Sequence, residues 1–241
     1  MKWIYGFFMA WGMFLAIPCP LKLWDEKARR HMLVCLPLVG LLVGAIWGGA
    51  AWLLRDAPAA IRGFLLAIVP WICTGFLHLD GLMDVCDAVL SRRDLATRQK
   101  ILKDSHCGAF AVIGVVLLML GQWSVFYSAQ TICWYIFPFI CMAVRACAGM
   151  AVMMLRPMGS SQYAGIREEK KSFCAALLVL LVIASGLPLL LWGTMAPAAA
   201  AAGYWLMALY GYRQLDGMNG DISGYALTLS ELCGAAVWAL I

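Results

Sequence analysis

Long apolar segments separated by short polar connections form the main pattern of this chain. Their lengths approach the roughly 17 to 25 residues that an α-helix needs to cross a bilayer. The segments lie near residues 3–18, 32–54, 61–79, 109–128, 132–155, 173–193, 196–212 and 224–241. The first is short enough to be re-entrant instead of spanning. The pattern therefore predicts an all-α fold, a polytopic integral membrane helical bundle with about seven to eight membrane segments.

The composition supports an integral membrane protein. Hydrophobic residues make up 64% of the chain and charged residues 13%, whereas soluble domains are about half apolar and a quarter charged. No repeat or low-complexity linker divides the chain, apart from a run of small residues at 196–203. We therefore expect a single membrane-embedded domain over residues 1–241, with the lipid bilayer as its surroundings.

The positive charges alternate between connections and so predict the orientation in the membrane. Four connections, 19–31, 80–108, 156–172 and 213–223, hold 14 of the 18 lysines and arginines. Connections rich in positive charge stay on the cytoplasmic side, so we expect these four to face the cytoplasm. With eight crossings, both termini lie outside the cytoplasm. If the first segment is re-entrant, the N-terminus lies in the cytoplasm and the other seven segments keep their orientation. Every acidic motif then faces the cytoplasm from a bacterial inner membrane.

Three aspartates follow the third apolar segment at helical spacing. If residues 76–87 are helical, Asp80, Asp84 and Asp87 stand at i, i+4 and i+7 and share one helix face. Like charges this close repel one another, and a divalent cation commonly holds such a cluster ionised. Ligands that offer only oxygen favour a hard ion such as Mg2+, with a phosphate completing its coordination. The motif predicts phosphate chemistry at a membrane surface.

Other polar residues near this motif and near the C-terminus each have a structural and a functional interpretation. His78 is either a hydrogen-bonded structural residue or a proton-transfer group. Asp104 precedes the fourth apolar segment, where it is either an N-cap or a further ligand or catalytic carboxylate. Asp221 lies in a glycine-rich interruption at residues 216–224, which is either a plain turn or part of a ligand site.

Two charged residues lie inside apolar segments. Arg145 and Glu231 are both costly in such positions, and charged groups within a span usually mark a functional site. The alternative is that they form an ion pair, with each other or locally, that holds helices together.

Four of these motifs together resemble those of one enzyme family. They are Gly75-Phe76-Leu77-His78-Leu79-Asp80-Gly81-Leu82-Met83-Asp84-Val85-Cys86-Asp87, Lys100-Ile101-Leu102-Lys103-Asp104-Ser105-His106-Cys107-Gly108, Leu36-Pro37-Leu38-Val39-Gly40-Leu41-Leu42-Val43-Gly44 and Gly217-Met218-Asn219-Gly220-Asp221. In their order along the chain they are similar to the signature of the cobalamin synthase family, the adenosylcobinamide-GDP ribazoletransferases. The resemblance extends over nearly the whole chain.

The resemblance implies a Mg2+-dependent transfer in the last stage of cobalamin assembly. Adenosylcobinamide-GDP would donate its cobinamide-phosphate unit to alpha-ribazole or alpha-ribazole 5'-phosphate, with release of GMP. The implied metal ligands on the pyrophosphate are Asp80, Asp84 and Asp87. The implied catalytic residues, which complete this site or move a proton, are Asp104, Asp221 and His78. The implied substrate-binding residues are Lys103, Arg145, Arg156 and Asn219.

Other classes of protein stay open at this point. CDP-alcohol phosphotransferases and intramembrane prenyltransferases also use aspartate clusters on diphosphates. An ion or proton transporter also places carboxylates in spans, although it spreads them toward the midplane. We expect no nucleic-acid partner. A homo-oligomer and an association with other corrinoid-assembly enzymes are both open hypotheses.

Overall fold

The computed structural model describes residues 1–130, 133–159 and 170–239. These parts of the chain form ten α-helices and no β-strand, which confirms the all-α class. The helices are α1 (Lys2–Phe14), α2 (Arg29–Leu53), α3 (Ala59–Cys73), α4 (Leu77–Leu90), α5 (Leu95–Ile101), α6 (Ala109–Ser128), α7 (Phe137–Met154), α8 (Lys170–Trp192), α9 (Ala196–Leu215) and α10 (Gly220–Ala239).

Helix α7 forms the centre of the bundle. Nearly all of its side chains are buried, and it packs against α2, α8, α9 and α10. The contact with α2 depends on glycines one helical turn apart. A Cβ atom at Gly40 would lie 2.5 Å from the carbonyl oxygen of Cys141, and one at Gly44 would collide with Pro138. Small residues at this spacing let two helix backbones approach closely within a membrane.

The third predicted segment, 61–79, is not one straight helix. Helix α3 ends at Cys73, α4 begins at Leu77, and the two axes meet at 95°. Gly75 and Phe76 make this bend with positive φ angles of 59° and 63°. Such angles are easy for glycine and unfavourable for phenylalanine. The prediction of a continuous segment to residue 79 was wrong because hydropathy does not report backbone angles.

Four helical stretches of the described chain are long and apolar enough to cross a membrane. They are Glu26–Leu53, Ala109–Ser128, Trp134–Met154 and Lys171–Trp192, and the bent pair of α3 and α4 adds a fifth if it is counted as one span. Helix α1 has only 13 residues, whereas a span requires about 20. Helices α9 and α10 are long enough but carry more polar residues. The membrane-helix class is confirmed, and the count of seven to eight segments stays a prediction.

Three of the connections predicted to face the cytoplasm meet at one end of the bundle. Arg98 donates a hydrogen bond to Gln214 at 2.5 Å, and Gln99 donates to the carbonyl of Leu215 at 2.8 Å. Pro157 and Met218 form a backbone bridge. The connections 80–108 and 213–223 therefore lie together with the start of 156–172, of which residues 160–169 lie outside the described parts.

Candidate functional site

The acidic motif is helical, as its spacing predicts. Asp80, Asp84 and Asp87 all belong to α4, which begins directly after the bend at Phe76. The bend turns the axis of α4 by 95° from that of α3. His78 and Asp80 in the first turn of α4 line a cavity of about 190 Å³. The cavity is the centre of the candidate site.

Helix α10 brings a further carboxylate to this cavity. Asp221, in the first turn of α10, lines the same cavity as Asp80. The two helices can approach because glycines lie at their crossing. A Cβ atom at Gly81 would lie 2.7 Å from the carbonyl oxygen of Asp221, and one at Gly224 would lie 3.0 Å from that of His78. The glycine inside the acidic motif thus makes room for the second carboxylate.

Asn219 orients Asp221 and caps α10. Its side-chain nitrogen donates to Oδ2 of Asp221 at 2.6 Å, and its side-chain oxygen accepts the amide of Ile222 at 3.0 Å. The second bond is a typical N-cap interaction, which satisfies one of the free amides at a helix start. Asn219 therefore positions Asp221, and the contact with substrate that the resemblance implies stays a prediction.

Asp84 does not line the cavity, but it interacts electrostatically with the carboxylates that do. It feels the negative charge of Asp80 most strongly, then the charges of Asp221 and Asp87, and Asp221 also feels the charge of Asp80. Within the described residues, no three acidic, histidine or cysteine side chains converge into an assembled metal site. The donor set consists of carboxylates near an open cavity. Mg2+ commonly binds such a set through one or two carboxylates, with substrate phosphates supplying the other ligands.

Asp87 is engaged differently from the other two aspartates of α4. Its Oδ2 accepts the amide of Gly108 at 2.6 Å and its Oδ1 accepts the amide of Ala111 at 2.9 Å. These amides belong to the start of α6, where carboxylates are favoured by free N–H groups and the helix dipole. Both oxygens of Asp87 therefore stabilise the start of α6.

Arg145 and Glu231 form a buried ion pair. Nη1 of Arg145 donates to Oε1 of Glu231 at 2.9 Å, and both side chains are almost fully buried. The pair joins α7 to α10, as the structural alternative predicted. Arg145 also lines the cavity, and its Nη2 is buried without a hydrogen-bond partner among the described residues. One arginine thus holds two helices together, lines the cavity and keeps a buried donor group that no described residue uses.

His78 lies against the apolar wall of the cavity. Its ring is parallel to that of Phe14, with the two centroids 6.2 Å apart. Its backbone carbonyl accepts a hydrogen bond from Thr228 at 3.1 Å. Its Nδ1 atom is buried and has no hydrogen-bond partner in the described part of the chain. The imidazole packs beside Phe14 and holds one buried nitrogen without a partner.

Asp104, Lys103 and Arg156 do not line this cavity. Asp104 is exposed and accepts bonds from the ring and the amide of His106, at 2.6 Å and 3.1 Å. These hydrogen bonds lower the pKa of Asp104, and the bond to its carboxylate raises the pKa of His106. Lys103 is exposed. Arg156 donates to the carbonyl of Asp216 at 2.9 Å and pairs with its carboxylate.

Comparison with known proteins identifies the family of this chain. The family model for cobalamin-5-phosphate synthase matches residues 6–239. The chain belongs to this family. A relative from Clostridium perfringens (strain 13 / Type A), named adenosylcobinamide-GDP ribazoletransferase, is 35% identical, and the match covers 97% of this chain and 96% of the relative.

Two other relatives carry the same name. The protein from Clostridium botulinum (strain Alaska E43 / Type E3) is 32% identical over 95% of this chain and 94% of its own length. The protein from Geobacillus thermodenitrificans (strain NG80-2) is 30% identical over 98% of this chain and 95% of its own length. No solved structure matches the chain.

For this member of the cobalamin-5-phosphate synthase family, the structure adds cavity residues that the sequence did not single out. Phe14 at the end of α1, Leu33 of α2 and Ala148 of α7 form an apolar wall together with Leu36, which begins one of the four motifs. Ser223 adds a hydroxyl group beside Asp221. Apolar residues in an apolar helix carry no signal for a site. Ser223 does lie in the glycine-rich interruption, and its position was the one available clue.

Proposed function

We propose that the protein is an adenosylcobinamide-GDP ribazoletransferase. An alpha-ribazole hydroxyl oxygen, or that of its 5'-phosphate, attacks the cobinamide-bearing phosphorus. The bond from this phosphorus to the oxygen shared with GMP breaks, and GMP leaves with that oxygen. The products are adenosylcobalamin, or its phosphate, and GMP. Family membership and the names of the relatives over nearly their full lengths support the proposal.

The observation that carries this proposal is the meeting of α4, α7 and α10 at one cavity. Asp80, Asp221 and Arg145 come from these three helices and all line it. Phosphoryl transfer needs mainly positioning and charge stabilisation, so anionic metal ligands beside a cationic donor suit it. A transporter accounts less well for the match to an enzyme family over residues 6–239.

Asp80, Asp84 and Asp221 are the residues proposed to hold Mg2+ with the pyrophosphate of the substrate. The bound ion would neutralise phosphate charge in the transition state. Asp221 lines the cavity and is oriented by the hydrogen bond from Asn219. It is the proposed acceptor of the hydroxyl proton. Asp104, which is paired with His106 at the surface, is not part of this proposal.

Arg145 and His78 complete the proposed site. The free Nη2 group of Arg145 donates to a phosphate oxygen while its Nη1 stays bonded to Glu231. Nδ1 of His78 is a second free position at the cavity wall and orients the attacking nucleoside. The packing of His78 on Phe14 keeps the ring from turning away.

The proposed site opens toward the cytoplasm at a bacterial inner membrane. The connections 80–108 and 213–223 lie at the same end of the bundle as the bridge between Pro157 and Met218, next to the start of α10, and 80–108 alone holds five of the 18 lysines and arginines. Positive charge favours the cytoplasmic side, where GDP-activated substrates are made.

The test is a transfer assay with the purified protein in lipid vesicles. Adenosylcobinamide-GDP, alpha-ribazole and Mg2+ should yield GMP and adenosylcobalamin in equal amounts, and omission of alpha-ribazole should abolish GMP release. Asp80→Asn should lose most of this activity. Asp56→Asn, which removes an exposed carboxylate in the connection between α2 and α3, is the matched control and should keep it. A folded wild-type protein that releases no GMP would contradict the proposal.

A further inference from the structure

A long apolar groove lies on the outside of the bundle, away from the candidate site. It has a volume of about 680 Å³ and runs between α4, α6, α9 and α10. Leu117 of α6 and Leu206 of α9 line it, and each exposes 65% of its surface. Helix α6 is apolar enough to span the membrane and is mostly unburied. The groove therefore opens toward the hydrocarbon region of the bilayer.

A basic recess continues this groove at one end. The recess has a volume of about 330 Å³ and contains the side chains of Arg92, Arg93 and Arg98. Val89, Leu90 and Tyr210 line both the groove and the recess, so the two form one continuous surface. No acidic residue occurs among the described residues that line the recess.

The arginines of the recess retain hydrogen-bonding capacity. Arg98 is held in place by the bond from its Nη1 to Gln214, but its Nε is buried without a partner in the described structure. Arg92 and Arg93 are exposed at the turn after α4. The nearest carboxylate in the sequence, that of Asp94, is used by the amide and hydroxyl of Thr97. The recess thus presents three arginines, and no carboxylate is among the described residues that line it.

We propose that the groove and the recess together bind one anionic glycerophospholipid from the surrounding leaflet. The acyl chain lies in the groove, where apolar contacts replace contacts with other lipids. The phosphate lies in the recess, where guanidinium groups pair with phosphate oxygens. Charge complementarity selects an anionic headgroup, because a zwitterionic lipid brings its own positive charge next to the three arginines.

This lipid site is separate from the proposed catalytic site. Among the described residues, none lines both the groove or recess and the cavity that contains Asp80 and Asp221. Helices α4 and α10 do contribute to both. An occupied groove would therefore hold together the two helices that carry the acidic residues. The lipid proposal does not depend on which reaction the cavity supports.

The test measures thermal stability of the purified protein in an uncharged detergent. Phosphatidylglycerol should raise the unfolding midpoint, whereas phosphatidylcholine, inorganic phosphate and GMP should leave it nearly unchanged. The double variant Arg92→Gln/Arg93→Gln should weaken the phosphatidylglycerol effect roughly thirtyfold in concentration, because each basic residue near an anionic surface contributes a factor of about five. Native mass spectrometry should show one bound phosphatidylglycerol in wild type.

Two further variants separate the charge contribution from the apolar one. Lys100→Gln/Lys171→Gln removes the same charge from exposed positions outside the recess and should bind phosphatidylglycerol like wild type. Leu117→Trp fills part of the groove without changing the charge and should weaken binding. Equal stabilisation by phosphatidylglycerol and phosphatidylcholine would overturn the proposal. Unchanged phosphatidylglycerol binding by the arginine or tryptophan variants would also overturn it. Stabilisation by phosphate or GMP equal to that by phosphatidylglycerol would overturn it too, and would indicate a soluble ligand.

Discussion

The carboxylates around the cavity are the residues for which a metal role and a purely structural role predict opposite results. Asp84→Asn keeps the volume and removes one charge from a group that includes Asp80 and Asp221. If these residues hold Mg2+, turnover should fall roughly a hundredfold to a thousandfold, the usual size for a lost charge contact in the transition state. If they hold none, relief of repulsion should raise thermal stability and leave turnover unchanged.

The measurement is GMP release across a range of Mg2+ concentrations, with thermal unfolding on the same samples. A fall in turnover that excess Mg2+ partly restores would point to weakened metal binding. Turnover within about threefold of wild type at limiting Mg2+ would contradict a metal role for Asp84.

Substitutions in the ion pair of Arg145 and Glu231 should affect stability and activity differently. Glu231→Gln leaves a buried guanidinium without its counter-charge, which should lower stability by about 3 to 5 kcal/mol. The double variant Arg145→Met/Glu231→Leu should recover much of this stability, because apolar pairs of similar size often replace buried ion pairs without loss. It should still lack activity, since Arg145 lines the cavity and its replacement removes the guanidinium, including the unpaired Nη2 group. Denaturant unfolding in detergent and GMP release provide the two measurements.

Recovery of both stability and activity in the double variant would show that Arg145 only joins α7 to α10. Recovery of stability alone would support its contact with substrate. The sequence could identify both residues because charges inside apolar segments stand out. It could not show that they pair with each other, since they are separated by 86 positions and belong to different helices.

At the scale of elements, Asp87 connects α4 to the start of α6. Asp87→Ala removes the acceptors of the Gly108 and Ala111 amides and should destabilise this junction by about 1 to 3 kcal/mol. Gly108→Ala should act in the same direction, because the added Cβ atom would lie 2.6 Å from Oδ1 of Asp87. Hydrogen exchange at the first turn of α6, together with thermal unfolding, measures both effects.

Gly186→Ala is the matched control for the glycine change, because open space surrounds that position within α8. Asp87→Asn keeps one acceptor oxygen and should be milder than Asp87→Ala in stability. A loss of turnover beyond a hundredfold in a stable Asp87→Asn protein would contradict a role limited to α6. It would support the metal role that the resemblance implied.

The helices themselves were predictable to different degrees. The predicted segment 109–128 has the same limits as α6, because a largely apolar run begins after Gly108 and ends before polar residues. The end of α3 was not predictable from hydropathy, since apolar residues continue through the bend at Gly75 and Phe76. Helix α1 ends at Phe14, short of the predicted limit, and its last residues line the cavity.

At the scale of the whole molecule, the sequence predicted on which side the acidic residues gather but not which of them meet. Charge alternation grouped the connections that the structure brings together through Arg98 and Gln214. The approach of Asp221 to Asp80 depends on glycines at the crossing of α4 and α10, which have no local signature. Asp104 is the opposite case. It lies near the acidic motif in the sequence, but its side chain does not line the cavity.

The orientation in the membrane is testable with a cysteine that the protein already has. All ten cysteines lie in the described residues, and Cys107 alone is exposed. It lies between α5 and α6, in a connection predicted to face the cytoplasm. A membrane-impermeant maleimide should therefore modify Cys107 in inverted membrane vesicles and leave it unmodified in intact spheroplasts, with mass spectrometry of its peptide as the measurement.

The matched control places a cysteine at the other end of the bundle. Asp56→Cys, in a Cys107→Ser background, lies in the exposed connection between α2 and α3, which follows a span that begins in a positively charged connection. The positive-inside rule predicts that this position reacts only from outside. Modification of Cys107 in spheroplasts, with position 56 reacting only in inverted vesicles, would invert the proposed orientation. The acidic cavity would then face away from the compartment that contains GDP-activated substrates, and the proposed function would lose its physical basis.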